Sequence, residues 1–290
     1  MGNFSEIDDC CRKPILITVS PYLRDHLFEG KAVLPAVTSM QLLADAVSGL
    51  PEEIDDRRIA HAAFEKLLVL DPGEKSIDAY TETKKIQDGG LSIKLVTRRY
   101  FGGSGITRVI EHARVCFFPR TERPDRSCIP VFEKSRSGMT VSADSVYREL
   151  VPFGRTYQNI SGSVTLNRVN AVANIFAPEL PDINGSLGSP FVLDAAFHVA
   201  CVWGQRYSGF IGFPVGFDSR VVITPTKSGG TYVVHVLPVK QCRGENIFDV
   251  WIYQPDSDTV FEIVAGLKMR DVTGGRKKPP QWIQTHLYTD

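Results

Sequence analysis

The sequence predicts an α+β protein of two similar halves, each an apolar helix followed by a run of antiparallel strands. Three observations carry that expectation. Two helical stretches, each opened by a proline, stand one in each half of the chain. After each of them the pattern changes to the two-residue alternation of half-buried strands. Between the halves lies a stretch rich in charge and turn formers, with no apolar period.

In chain order, the N-terminus MGNFSEIDDCCRK is acidic and polar, so it does not read as a secretory signal. It carries Gly2 but no Ser or Thr at position six, a weak match to a myristoylation site. The first helix is expected over Pro35–Leu50, where Val37, Met40, Leu43, Ala44 and Val47 recur at three- and four-residue spacing. Pro35 suits its first turn, and Gly49 with Pro51 supply the stop. Strands follow as RIAHAAFEKLLVL, KSIDAYTET, LSIKLVTRRYF and ITRVIEHARVCFF. The turn-rich stretch is read as a linker at 121–141, between a first unit at 1–120 and a second at 142–273. The second helix is expected over Pro190–Trp203 and is apolar nearly all round, so it should be buried. Its half supplies the strands NISGSVTL, AVANIFAP, SRVVITP, TYVVHVLPV, IFDVWIY and FEIVAGLKM. The basic, proline-containing stretch 274–290 reads as a tail, either a linker to a further domain or a frayed terminus.

A sheet curled around one apolar helix is the hotdog arrangement, and two in one chain make a double hotdog. The halves share no close sequence repeat, so periodicity reaches only the α+β class with two similar halves.

Composition narrows the function classes. Lys and Arg total 33 and Asp and Glu total 33, and this zero balance speaks against a nucleic-acid or membrane-surface partner. No apolar run approaches the roughly 20 residues of a membrane span. Cys10, Cys11, Cys116, Cys128, Cys201 and Cys242 form no CxxC pair, which fits a reducing, cytoplasmic setting without structural zinc.

The chemistry concentrates in DHLFEGKAVLP, where His26, Gly30 and Pro35 stand at the spacing His-x-x-x-Gly-x-x-x-x-Pro. An exposed-loop histidine titrates near neutral pH and can act as a base. Gly30 either takes a backbone conformation closed to other residues or lets a ligand come close. Pro35 opens a helix whose first amides would point into a cleft, and amides from Gly30 to Pro35 are candidates for holding a developing oxyanion.

DHLFEGKAVLP resembles the first signature of polyketide synthase dehydratase domains, double-hotdog enzymes that dehydrate β-hydroxyacyl thioesters. Three more segments resemble that family in its own order. LVPFGRTYQ is similar to its Tyr-Gly-Pro-x-Phe-Gln segment, aligning Phe153, Gly154, Tyr157 and Gln158. PFVLDAAFH is similar to its Asp-x-x-x-Gln/His signature, giving Asp194 and His198. FPVGFDSRV is similar to its Leu-Pro-Phe-x-Trp segment through Pro214 and Phe217. The departures are Arg155 for the usual Pro, Tyr157 for Phe, Phe217 for Trp, and Ser189 where a His is common.

The resemblance implies that His26 removes the proton next to the thioester carbonyl and that Asp194 protonates the leaving hydroxyl. Asp194 must then hold a proton at working pH, and its apolar helix is expected to raise its pKa by desolvation. His198, one helical turn on, either orients the carboxyl or the substrate hydroxyl, or is a satisfied core histidine. Gly30, Pro35 and Tyr157 would support the site; Val33, Leu34, Phe153, Gly154, Pro214 and Phe217 would line the substrate pocket. His61, His112 and His235 read as structural or surface groups, Cys201 as core, and GGRKK as solvated linker. No metal or redox cofactor is implied. The substrate would arrive on the phosphopantetheine of an acyl carrier protein, among other polyketide or fatty-acid synthase domains, with a homodimer possible. Two alternatives stand beside dehydration: aldol cyclisation or double-bond isomerisation on the same pair, as in product-template-like domains, and an acyl-binding module that has lost catalysis.

Overall fold

A computed structural model describes residues 11–48, 54–101, 106–120, 138–180, 185–257 and 259–285. The N-terminal ten residues, most of the 121–141 linker, the stop at Gly49 and Pro51, Cys10, Cys128 and His286 lie outside them.

The first half runs β1 (Cys11–Thr18), a 3₁₀ turn at Pro21–Asp25, β2 (Leu27–Phe28), β3 (Lys31–Ala32) and α1 (Ala36–Ser48). It continues through β4 (Ile54–Ala63), β5 (Ser76–Lys85), β6 (Leu91–Phe101) and β7 (Ile106–Pro119). The second half opens with β8 (Met139–Ser142), α2 (Ala143–Ser145) and a wide turn at Val146–Leu150. A 3₁₀ turn at Arg155–Tyr157 leads to β9 (Ile160–Leu166), β10 (Ala171–Phe176) and α3 (Pro190–Tyr207). Then come β11 (Phe213–Val222), β12 (Thr231–Cys242), β13 (Glu245–Tyr253), β14 (Val260–Arg270) and α4 (Gln281–Thr285).

Among the described residues, twelve strands form one antiparallel sheet in the order β1-β5-β6-β7-β4-β11-β14-β13-β12-β10-β9-β8, and β2 pairs with β3 in a separate hairpin. Each half keeps its strands together around its own helix: α1 lies against β4, β6 and β7, and α3 against β9, β10, β12 and β13. This is the double hotdog expected from the sequence. The helices also touch one another, so the two cores merge.

Both helices follow from their patterns. α1 buries Val37, Met40, Leu43, Ala44 and Val47, the five positions of the apolar stripe. Pro35 precedes the helix, and its carbonyl accepts the Ser39 N–H at 3.0 Å, so it closes the first turn without owing a donor of its own. α3 is buried from Pro190 to Gln205, as its all-round apolar sequence requires.

The halves join edge to edge where β4 pairs with β11. Ala62 and Ala63 face Phe217 and Gly216 there, and a Cβ on Gly216 would fall 2.2 Å from the Ala62 carbonyl oxygen. Only glycine permits that approach.

Several elements differ from expectation. β4 ends at Ala63, because His61 takes a positive φ of 51° at a bulge and the chain then leaves the sheet. Its apolar continuation pairs instead with the segment before α1, through Leu34 N–H to Leu68 O and Leu70 N–H to Ala32 O. β11 starts at Phe213, earlier than SRVVITP, because a register shift at Pro214–Gly216 breaks the alternation. β8 begins pairing inside the stretch read as linker. Residues 274–285, read as part of a tail, fold back with 271–273 as a strap. Ile283 is fully buried, its carbonyl accepts from Arg206 at 2.7 Å, and Trp282 Nε1 donates to Glu149 at 2.6 Å.

Candidate active site

His26 sits between the Pro21–Asp25 turn and the β2–β3 hairpin. Glu29 and Gly30 are the two residues linking those strands, with φ of 49° and 76°, as a type I′ turn demands at both positions. A Cβ on Gly30 would meet nothing within 4 Å, so its φ, and not crowding, accounts for glycine there. The His26 carbonyl accepts the Val33 N–H at 3.0 Å, which locks the histidine to the strand that follows. His26 is therefore no loop residue open to water: its side chain is 14% exposed. Phe153 stacks on its ring at 4.4 Å, and Tyr157 meets it edge-on at 5.0 Å.

From the other half, α3 brings Asp194 and His198 to the same place. His26 Nε2 lies 3.8 Å from Asp194 Oδ1, and His198 Nε2 lies 2.9 Å from Asp194 Oδ2, off the line of the ring N–H. Two residues that are 168 positions apart in sequence (194 − 26) thus face each other over the junction of the halves. Burial pushes the His26 pKa below the ordinary histidine value; Asp194 pulls it part of the way back. A buried, neutral imidazole is poised as a base.

Asp194 departs from expectation. Burial does push its pKa up, but His198 and then His26 pull it down further, leaving the carboxyl below its ordinary value. Desolvation by the apolar helix alone would have raised it; two imidazoles within 4 Å reverse the sign.

The three groups open into a cavity of about 650 Å³. Of the residues expected there, His26, Gly30, Val33, Leu34, Phe153, Asp194, His198 and Pro214 line it. The rest stand behind the wall, for identifiable reasons. Pro35 is buried just ahead of α1, and Tyr157, 1% exposed, meets the His26 ring edge-on. Gly154 is a packing residue, because its N–H donates to the Asp25 carbonyl at 2.7 Å and a Cβ would fall 2.5 Å from the Asp25 carboxyl group. Phe217 is wholly buried in the core beside Phe64. Arg155 and Ser189 are likewise absent from the lining. The amides of Val33 and Leu34 are engaged by the carbonyls of His26 and Leu68, so neither is free to hold an oxyanion.

Sequence reasoning missed part of the lining. Cys201 and His112 both face the cavity, as do Leu150, Met269 and, from the strap, Lys277 and Lys278. Cys201 follows Asp194 and His198 along one stripe of α3, and that helical spacing could have found it. His112 is held by Thr97 Oγ1 at 2.8 Å and by the Lys66 carbonyl at 3.0 Å, so both ring nitrogens are occupied. Tyr147, whose hydroxyl lies 3.4 Å from His198 Nδ1, was also missed, since nothing in VYREL marks it out locally.

No protein-family model matches the chain, and no curated protein matches it in sequence. Solved structures do match it in shape. The dehydratase domain from the CurF module of the curacin polyketide synthase superposes with a TM-score of 0.74 at 18% identity, covering 92% of this chain and 96% of that one. A monomeric dehydratase domain from a trans-AT polyketide synthase split module gives 0.70 at 11% identity, over 91% and 99%. A trans-acyltransferase polyketide synthase enoyl-isomerase gives 0.64 at 16% identity, over 89% and 98%. The chain therefore has the double-hotdog fold of polyketide synthase dehydratase domains, along nearly its whole length.

Proposed function

We propose that the protein eliminates water from a β-hydroxyacyl thioester carried on the phosphopantetheine of an acyl carrier protein, in polyketide or related polyunsaturated fatty-acid synthesis. The observation that carries this reading is the approach of a buried histidine and a buried carboxylate, one from each half, at 3.8 Å inside a cavity lined largely by apolar side chains. The dehydratase neighbours support it at the level of fold.

The proton balance follows from the two pKa shifts. Neutral His26 takes the proton next to the thioester carbonyl through Nε2. The imidazolium so formed stands beside the Asp194 carboxylate, which accepts that proton and delivers it to the β-hydroxyl as the carbon–oxygen bond breaks. Water leaves, the enoyl thioester remains, and both residues return to their starting charge. Asp194 thus acts as an acid only after His26 has acted as a base, and no proton need reside on it beforehand. Each group placed in this way contributes about 10²–10⁴-fold.

Full-length protein with a 3-hydroxyacyl thioester should release an enoyl product, read by mass and by absorbance. His26→Ala and Asp194→Asn should each remove at least about 10²-fold of that rate. Undiminished turnover in both variants would sink the assignment.

Double-bond isomerisation is the second reading, favoured by the enoyl-isomerase neighbour and by an Asp194 carboxyl already below its ordinary pKa. Moving a double bond needs a proton shuttle but no acid for a leaving group. Turnover of enoyl thioesters with inertness toward 3-hydroxyacyl thioesters would select it.

A further inference from the structure

Two histidines flank one carboxylate, and they differ in what holds the far side of each ring. Against His26 stand Phe153, stacked on the ring, and Tyr157, edge-on to it. Behind His198 is a hydroxyl. Tyr147, 7% exposed, meets the His198 ring edge-on with centroids 5.8 Å apart. Its hydroxyl oxygen accepts the Ile160 N–H at 2.9 Å and lies 3.4 Å from His198 Nδ1.

A tyrosine hydroxyl has one proton to give. With the Ile160 amide already donating to the oxygen, that proton is directed at His198 Nδ1. A ring nitrogen that accepts is the unprotonated one, so the imidazole proton sits on Nε2, the atom 2.9 Å from Asp194 Oδ2. The opposite tautomer would turn the Tyr147 proton away from the ring and set a lone pair of Nε2 against the carboxylate. Tyr147 is itself held in place: Val151 N–H donates to the Val146 carbonyl at 2.8 Å, and Gln205 donates to the Leu150 carbonyl at 2.9 Å. Gln205 lies on α3, so the helix that carries Asp194 and His198 also fastens the turn that carries Tyr147.

We propose that Tyr147 is a positioning residue, which fixes His198 as its Nε2–H tautomer and so sets an N–H, not a lone pair, against the Asp194 carboxylate. The proposal rests on the reading of His26 and Asp194 as the reacting pair. It divides the two histidines by role: His26 exchanges the substrate's proton, whereas His198 keeps its own. Asp194 and His198 on α3, His26 before β2, Tyr157 in the 3₁₀ turn and Tyr147 are the titratable groups that face this cluster.

The test reads the tautomer directly. Full-length protein labelled with ¹⁵N-histidine gives ring correlations whose pattern separates Nε2–H from Nδ1–H, and His198→Gln identifies the His198 signals by their loss. Wild type should show the Nε2–H form at His198, and Tyr147→Phe should mix the two forms. An Nδ1–H form in wild type, or a tautomer unmoved by Tyr147→Phe, overturns the proposal. Should Tyr147→Phe fail to fold, the wild-type tautomer decides alone, because Tyr147 is the partner of His198 Nδ1 among the described residues. A second readout uses a 3-hydroxyacyl N-acetylcysteamine thioester. Tyr147→Phe should lower kcat about tenfold with KM little changed, the effect of one lost hydrogen bond in the site. In a His198→Gln background the same change should have no further effect. Equal losses in the two backgrounds would mean that Tyr147 serves the fold alone. If wild type turns over no such thioester, the reaction assignment fails while the tautomer still settles the role of Tyr147.

Discussion

At His26, burial and Asp194 pull the pKa in opposite directions and burial wins, so the imidazole remains neutral down to a pH below the ordinary 6.5. The rate should therefore be flat through neutral pH and fall on the acid side, with a midpoint under 6.5, in a profile of kcat/KM against pH. Asp194→Asn removes the one charge that raises His26, so its midpoint should move further down in an NMR titration of the ring. A midpoint that rises in that variant would contradict the arrangement. The proposed pair was legible in the sequence because His26, Gly30 and Pro35 have a fixed spacing and Asp194 interrupts an apolar helix. The ionisation of Asp194 was not. It depends on His198 and His26 approaching one carboxyl from two elements, and no local pattern encodes that sum. Tyr147 was hidden for the same reason, since it acts through a contact 51 residues away.

Among the elements, the β4–β11 junction and the buried pair behind it hold α1 and α3 in register. Gly216→Val would drive a side chain into the Ala62 carbonyl and should cost about 1–3 kcal/mol in urea unfolding, as overpacking usually does. Arg220 on β11 and Glu262 on β14 are each 2% exposed and bonded at 2.7 and 3.2 Å; Arg220 also donates to the Leu187 carbonyl ahead of α3 at 3.0 Å. Arg220→Met should cost about 3–5 kcal/mol, because it strands a buried carboxylate. Adding Glu262→Leu should recover much of that loss. The two long helices and the middle strands could be read from periodicity, since tertiary burial and local pattern agree there. β1 was not read, because CRKPILIT is an edge strand whose Pro14 and exposed Leu16 break the alternation. β8 escaped for its brevity, and α4 because a single buried residue, Ile283, anchors it.

Across the whole molecule, stability should decline as the medium is acidified from pH 6.5 towards 4. His235 is lowered to about 4 by burial, and His26 and His112 are lowered as well. Each binds its proton more readily unfolded than folded, so the folded state is fully favoured above 6.5 and loses ground below it. Thermal unfolding followed against pH would show the slope, and a flat curve over that range would be the contrary result. The strap 271–285 reaches from the end of β14 past the cavity to α3, with Arg276 3.5 Å from Glu29 at the tip of the β2–β3 hairpin. Ile283→Asp places a charge where no water reaches and should release the strap, raising KM for thioesters more than it lowers kcat.

The way the halves meet has one more consequence. The halves meet through ladder hydrogen bonds between β4 and β11 and through the contact of α1 with α3. A chain cut within 121–137 and expressed as two polypeptides should behave as a heterodimer. Neither piece would hold a complete reacting pair, since His26 belongs to one and Asp194 to the other. Turnover would then appear only on mixing, and would saturate with the concentration of the second fragment. Such complementation would turn an intramolecular seam into a measurable dissociation constant, and the pairing strength of the two hotdogs could be read from catalysis alone.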